Sequence, residues 1–198
     1  MTELSEAPTK PFILVMGGAK IETKIGLLHK LGPKADKIVL GGGLAVTFLA
    51  AAEVKLPAYP ADLMSERDVA TARKLLRKFS RKIILPVDLV AKPKQHLISD
   101  IGPETCELFA SEISRAKTVI WNGPLGIIER SDGAAGTLAV AQSMSKSKAR
   151  VVTGGGETVD FLEAHKLLKN FAHVSTGGGA MLAFLAGERL PGLEALKF

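Results

Sequence analysis

A chain of 198 residues, 46% hydrophobic and only 5% aromatic, can bury an aliphatic core as one large domain or two small ones. Its net charge of +6 suits phosphate-bearing ligands without choosing between nucleotides and nucleic acid. A single cysteine, Cys106, excludes an internal disulfide, no apolar run approaches a membrane span, and the opening MTELSEAPTKP lacks the form of a signal peptide, so a soluble cytoplasmic protein is expected.

In chain order, residues 1–10 are polar and read as a linker or tail. The continuous apolar run 12–16 predicts a strand covered on both faces, and it stops at Gly17-Gly18. A helix over 21–31 closes at Gly32-Pro33. A strand over 37–40 stops at Gly41-Gly42-Gly43, followed by a helix over 44–53. Residues 54–64, with Pro57 and Pro60, read as a loop. Ser65 caps the next helix with Asp68 three residues on, and Val69, Ala72, Leu76 and Phe79 repeat at helical spacing. The basic run Arg73, Lys74, Arg77, Lys78, Arg81 and Lys82 carries no interleaved aromatic platform, so it reads as a solvated face and not as a nucleic-acid surface.

A strand over 82–85 ends at Pro86, and residues 91–99 read as irregular. Pro103 and Glu104 start a helix with Cys106, Phe109 and Ile113 on its inner face. A strand over 118–121 ends in Asn122-Gly123-Pro124, with Trp121 packing at its end, and an alanine-rich helix follows over 133–144. Two more units complete the chain. Residues 151–153 run through Gly154-Gly155-Gly156 into a helix over 157–168, and 173–176 run through Gly177-Gly178-Gly179 into a helix over 180–185. His165 shares a face with Phe161 and Leu168 and is expected to pack; His29, His96 and His173 have no metal-ligand spacing.

Six strand-like runs alternating with helices, with no break in composition, predict a single α/β domain over 11–189. Its architecture is a Rossmann-like three-layer sandwich, a six-stranded parallel sheet with helices on both faces. Four strands meet glycine tracts, which gathers the loops on one edge of the sheet, where open parallel sheets bind ligands. A strand that stops in glycines and opens a helix leaves unpaired N–H groups at the positive end of the helix dipole, with no Cβ to keep an anion away. Lys20 and Lys24, at i and i+4, would share a helix face beside such an anion or else lie in solvent. Glu157 and Thr158 either cap their helix or supply a magnesium ligand and a phosphate contact. Glu129 either bonds a ribose or is solvated. No glycine tract fits the Walker or the Rossmann dinucleotide pattern.

The segments GGAKIETKIG, IVLGGGLAVTFL, LPVDLV, DIGPET, VIWNGPLGIIE and VSTGGGAMLAFL, in this order, resemble the C-terminal, nucleotide-binding domain of phosphoglycerate kinase. The resemblance implies ATP or ADP and Mg²⁺ as cofactors, and the glycolytic transfer of a phosphoryl group between 1,3-bisphosphoglycerate and ADP. Adenine would lie among Gly18, Gly42, Gly43, Leu63, Pro124 and Ile127, with Glu129 on the ribose. Lys24, Asn122, Gly155, Gly156 and Thr158 would hold the phosphates and Glu157 the metal. Lys20 would act on the phosphoryl group in flight, to which Gly177, Gly178 and Gly179 would present their amides.

Three departures accompany the likeness. Glu157 stands where the family carries aspartate, one methylene shorter. Residues 91–99 are short, and Ser99 stands where the family places an apolar adenine contact, which lowers the expected nucleotide affinity. The family's N-terminal substrate domain has no counterpart here, and residues 190–198 resemble the segment that packs on it. The expectation is therefore a monomeric nucleotide half that meets 3-phosphoglycerate only with an N-terminal domain and binds neither nucleic acid nor membrane. Two alternatives are a stand-alone nucleotide-binding module without kinase activity and an unrelated α/β sugar-phosphate enzyme.

Overall fold

The computed structural model describes residues 7–57, 64–92, 94 and 97–187. Among them run β1 (Phe12–Met16), α1 (Ile25–Leu31), β2 (Lys37–Leu40), α2 (Gly42–Ala51), α3 (Glu66–Lys78), β3 (Ile83–Ile84), β4 (Leu89–Lys92) and β5 (Leu97–Ile101). They are followed by α4 (Pro103–Ser114), β6 (Thr118–Asn122), α5 (Ala135–Lys146), β7 (Arg150–Gly154), α6 (Gly156–Ala164), β8 (His173–Ser175) and α7 (Gly178–Ala186). Six strands form one sheet in the order β3-β2-β1-β6-β7-β8, and every pairing in it is parallel. The predicted α/β architecture is the observed one.

Burial on both faces explains the unbroken apolar strands. Phe12, Leu14 and Met16 point to one side, where Leu27, Leu28, Phe48, Leu75 and Leu185 pack on them from α1, α2, α3 and α7. Ile13 and Val15 point to the other side, against Phe109, Val140 and Leu162 from α4, α5 and α6. Trp121, fully buried at the end of β6, belongs to this second cluster, and its indole N–H donates to the Gly123 carbonyl at 2.8 Å. On α3, Leu75 is buried where Leu76 was expected to lead, and Leu76 lies at the margin.

The capping box is present. Ser65 Oγ accepts from the Asp68 N–H at 3.1 Å, and Asp68 Oδ2 accepts from the Ser65 N–H at 3.1 Å. Ser65→Ala should therefore cost about 1 kcal/mol of stability, read as a lower urea midpoint at unchanged slope.

The structure corrects the sequence reading at four places. First, α1 begins at Ile25, four residues late. Buried Ile21 anchors a turn in which the Lys24 and Ile25 N–H groups donate to its carbonyl, so Lys20 precedes the helix and shares no helix face with Lys24. Second, the described residues 91–92 and 97–99, expected to be irregular, lie in strands. β4 and β5 pair antiparallel, with a bulge between Val90 and Ala91, as a hairpin outside the main sheet. Third, α6 stops at Ala164 because Lys166 takes a left-handed φ of 58°. Leu168 consequently lies on a separate 3₁₀ turn, Leu168–Asn170, and His165 stacks on Phe161 alone, at 4.2 Å between ring centroids, while remaining exposed. Fourth, α2 and α7 take glycines into their own first turns, beginning at Gly42 and Gly178. The expected roles of residues 1–6 and 190–198, and of Leu63 and His96, fall outside the described residues.

Candidate functional site

The chain winds outward from β1 in both directions, so the strand order reverses between β1 and β6. Helices that follow β1 and β2 cross one face, and the helix that follows β6 crosses the other, which leaves a crevice at the carboxyl ends of these strands. The turns around it are joined through main chain. Gly17 N–H donates to the Asn122 carbonyl at 2.9 Å, Gly18 N–H to Pro124 at 2.8 Å, Gly42 N–H to Leu125 at 2.7 Å and Leu44 N–H to Gly18 at 2.9 Å. Gly17 is needed there for want of room: a Cβ on it would overlap the Pro124 carbonyl oxygen and stand 2.8 Å from that of Gly123.

A cavity of about 280 Å³ opens over these turns. It gathers seven predicted positions: Gly18, Gly42, Gly43, Pro124, Ile127, Glu129 and Glu157. Its remaining wall is mostly aliphatic, from Val46, Leu89, Ile98, Ile101 and Leu125. Such a lining, with a few polar groups at the margin, suits a flat heterocycle better than a bare anion.

Next to the cavity lies a polar cluster. The Lys24 ammonium donates to Asn122 Oδ1, and Asn122 Nδ2 donates to the Gly154 carbonyl at 2.6 Å, so Asn122 is fixed from both ends. Lys24 is 8% exposed, and burial pushes its pKa below the ordinary lysine value while the Glu157 carboxylate draws it back up. A Cβ on cavity-lining Gly18 would stand 3.6 Å from Lys24 Cε, so the two regions are contiguous. Gly155 caps α6 with φ 115°, a conformation that glycine adopts without strain.

Gly178, at the start of α7, packs on Gly155 so closely that a Cβ there would meet the Gly155 Cα at 2.6 Å. The N-termini of α6 and α7 are thereby set side by side. Neither has a side-chain cap, and Gly156 and Gly179 face open space. By contrast, α4 is plugged from within: the Asp88 carboxylate accepts from the Glu104 and Thr105 N–H groups at 3.1 and 2.7 Å. Thr158 is fully buried in the first turn of α6, and its hydroxyl has no hydrogen-bond partner among the described residues. An oxygen-rich anion between the two helix ends would meet donors at the positive ends of both dipoles.

Lys24, Asn122, Gly155, Gly156, Thr158 and Gly178 thus belong to one polar cluster, and Gly177 and Gly179 flank Gly178 on its exposed side. Lys20 is exposed on the turn before α1, and its ammonium has no partner among the described residues. Leu63 lies outside the described residues. No group of three or more His, Cys, Asp or Glu side chains suited to a metal occurs among the described residues, so Glu157 belongs to no such cluster. Magnesium commonly takes one or two carboxylates and fills its remaining positions with phosphate oxygens and water, which this set fits.

Sequence reasoning missed the hairpin as a wall of the cavity, and with it Leu89, Ile98 and Asp100. A signal was present: two short apolar runs, 89–91 and 97–98, flank a polar stretch containing Pro93, as in a hairpin. Ser99 does line the cavity, but its hydroxyl is directed to the Asp132 carbonyl at 3.0 Å.

Comparison with known proteins agrees with this fold. The family model described as phosphoglycerate kinase matches residues 1–188. Phosphoglycerate kinases from Chloroflexus aggregans and Herpetosiphon aurantiacus are each 41% identical over 96% of the chain. Among solved structures, phosphoglycerate kinase from Coxiella burnetii superposes with a TM-score of 0.88 at 34% identity, over 98% of this chain and 55% of that one. The enzyme from Pyrococcus horikoshii superposes with a TM-score of 0.88 at 30% identity, over 99% and 54%. The chain spans about half the length of the curated relatives it matches, 52% of both the Chloroflexus and the Herpetosiphon proteins.

Proposed function

The chain belongs to the phosphoglycerate kinase family, and we propose that it is the nucleotide-binding half of such an enzyme, taking MgADP or MgATP. The observation that carries this reading is the pairing of two uncapped helix N-termini, backed by Lys24 and Asn122, with an apolar cavity of about 280 Å³ beside them. The base and ribose occupy the cavity between Gly18, Gly42, Gly43, Pro124 and Ile127, with Glu129 at its edge on the ribose hydroxyls. The polyphosphate runs across Gly155 and Gly156, where the unpartnered Thr158 hydroxyl donates to it.

The reaction proposed for the complete enzyme moves a phosphoryl group between the acyl phosphate of 1,3-bisphosphoglycerate and the terminal oxygen of ADP. Nothing in it requires a covalent protein intermediate. The protein's task is to hold donor and acceptor in line and to neutralise charge spread over the three transferred oxygens. Lys24 and Asn122 fix the nucleotide phosphates. Lys20, exposed and without a partner among the described residues, reaches the moving group, and the amides at Gly177 and Gly179 receive its oxygens, while the Gly178 N–H already donates to the Thr176 carbonyl at 3.1 Å. Bound Mg²⁺, held by Glu157 and phosphate oxygens, supplies further neutralisation. The substrate 3-phosphoglycerate requires an N-terminal domain, and the chain by itself binds nucleotide without turning over.

Two measurements test this. Titration with MgADP in a two-dimensional NMR experiment should shift the amide signals of Gly18, Gly42, Gly155 and Gly156, and a family N-terminal domain added in trans should restore turnover in a coupled assay. Unchanged glycine signals would end the nucleotide reading. Shifted signals without rescue by the added domain would favour a binding module with no kinase activity.

A further inference from the structure

The loop that carries Ile127 and Glu129 leaves β6 and reaches α5 only at Ala135. Its position is set largely from the hairpin. Ile127 N–H donates to the Ser99 carbonyl at 2.8 Å, Ser99 Oγ donates to the Asp132 carbonyl, and Lys92 pairs with the Asp132 carboxylate at 2.6 Å. The Lys92–Asp132 pair lies near the surface and is individually weak, whereas Ser99 is buried. Beneath them sits Asp100 on β5, 2% exposed and bordering the cavity. Its Oδ2 accepts from the Gly136 N–H at 2.6 Å and its Oδ1 from the Ile101 N–H at 2.9 Å. Gly126 and Gly136 press directly on the carboxylate: a Cβ on Gly136 would stand 2.6 Å from Oδ1, and one on Gly126 would overlap it. Both ends of the loop thus abut a single buried side chain.

No lysine or arginine pairs with Asp100 among the described residues. A buried carboxylate that only anchored a turn would be costly compared with a neutral amide. We propose that Asp100 is a positioning residue for the nucleoside side of the pocket: by holding the Gly136 amide and seating Gly126, its carboxylate fixes the distance of Ile127 and Glu129 from the opposite wall. This rests on the nucleotide reading above and adds to it the element that sets the width of the pocket.

Burial pushes the Asp100 carboxyl up to about 6, against the two N–H bonds that favour its charged form. Facing groups are few. Cys106 on α4 is held in its thiol form, up to about 11, by burial and then by the Asp100 charge. Glu129 and Glu157 border the same cavity, Lys92 of β4 is engaged by Asp132, Lys146 lies in the last turn of α5, and α2 has no ionisable side chain.

The test follows the unliganded chain by NMR from about pH 5 to pH 8, as wild type and as Asp100→Asn, and then titrates both with MgADP. In the wild type the amide signals of Gly136 and Ile101 should move with a midpoint near pH 6, and those of Ile127 and Glu129 should move with them. The loss of this midpoint in Asp100→Asn assigns it to Asp100. At pH 7.5 the variant should bind MgADP roughly tenfold more weakly, and its melting temperature should also fall, because asparagine keeps only one of the two oxygens that accept from Ile101 and Gly136. Should the variant not fold, Asp100→Glu takes its place, and the wild-type pH titration still decides. Loop signals that stay still while Gly136 titrates, or wild-type affinity in a folded variant, overturn the proposal. Failure of both proteins to bind MgADP would refute the nucleotide reading instead, and the loop signals would still judge Asp100.

Discussion

Gly17→Ala should lower stability by about 4 kcal/mol or more, enough to drop the melting temperature by roughly 8–16 °C or to leave the chain unfolded. The added methyl group meets main chain and not a movable side chain. It would overlap the Pro124 carbonyl oxygen and lie 2.7 and 2.8 Å from the Pro124 carbonyl carbon and the Gly123 oxygen. Those atoms cannot retreat cheaply, because the Pro124 carbonyl accepts from Gly18 N–H and the Asn122 carbonyl from Gly17 N–H. Relief would require separating β1 from β6, the two strands at the centre of the sheet. Gly156→Ala is the matched control. Its new Cβ meets nothing within 4 Å, so its melting curve should stay within about 1 kcal/mol of wild type. Similar losses in the two variants would mean that glycine content, and not the crowding at Gly17, limits stability.

In an enzyme completed by an N-terminal domain, Lys20→Ala should reduce turnover by about 10²–10³-fold while MgADP affinity changes by roughly threefold or less. The separation follows from where the two lysines sit. Lys24 is buried and bonded to Asn122, so in the proposed mechanism its charge acts on ground-state binding. Lys20 is exposed and has no partner among the described residues, so in the proposed mechanism it acts only on the phosphoryl group in transit. Lys24→Ala should show the reverse pattern, with weakened affinity first. Equal losses of turnover and affinity in Lys20→Ala would remove the transfer role from that residue.

The sheet was legible in the sequence because its strands are buried on both faces and so read as unbroken apolar runs, as 12–16 does. Four of its loops were legible as glycine tracts, and in each of the tracts at Gly17, Gly42 and Gly178 main chain approaches too closely for a Cβ. The hairpin was not, since its strands have only four and five residues and the longer one buries polar Ser99 and Asp100, which breaks the apolar run. The Lys20–Lys24 pairing failed for a related reason. Spacing alone places both on a helix, but Ile21 is drawn into the core and forms a turn first. Asp100 could not be found from its own neighbourhood in the chain, because its environment is made by Gly126 and Gly136, which reach it only in the fold. The strand–glycine–helix pattern located the tracts that hold the two helix ends, but it could not disclose that Gly178 rests on Gly155.

The main-chain bonds that tie the turns after β1, β2 and β6 together make the bottom of the crevice a single stiff plate, with Gly18 serving both as donor to Pro124 and as acceptor from Leu44. A plate of that kind has no independent pieces to rearrange around a guest. In the proposed function, any accommodation of differently shaped bases must therefore come from the sides, by tilting the hairpin and the loop it holds. Substitutions in the plate should act on folding, and substitutions in the hairpin on selectivity.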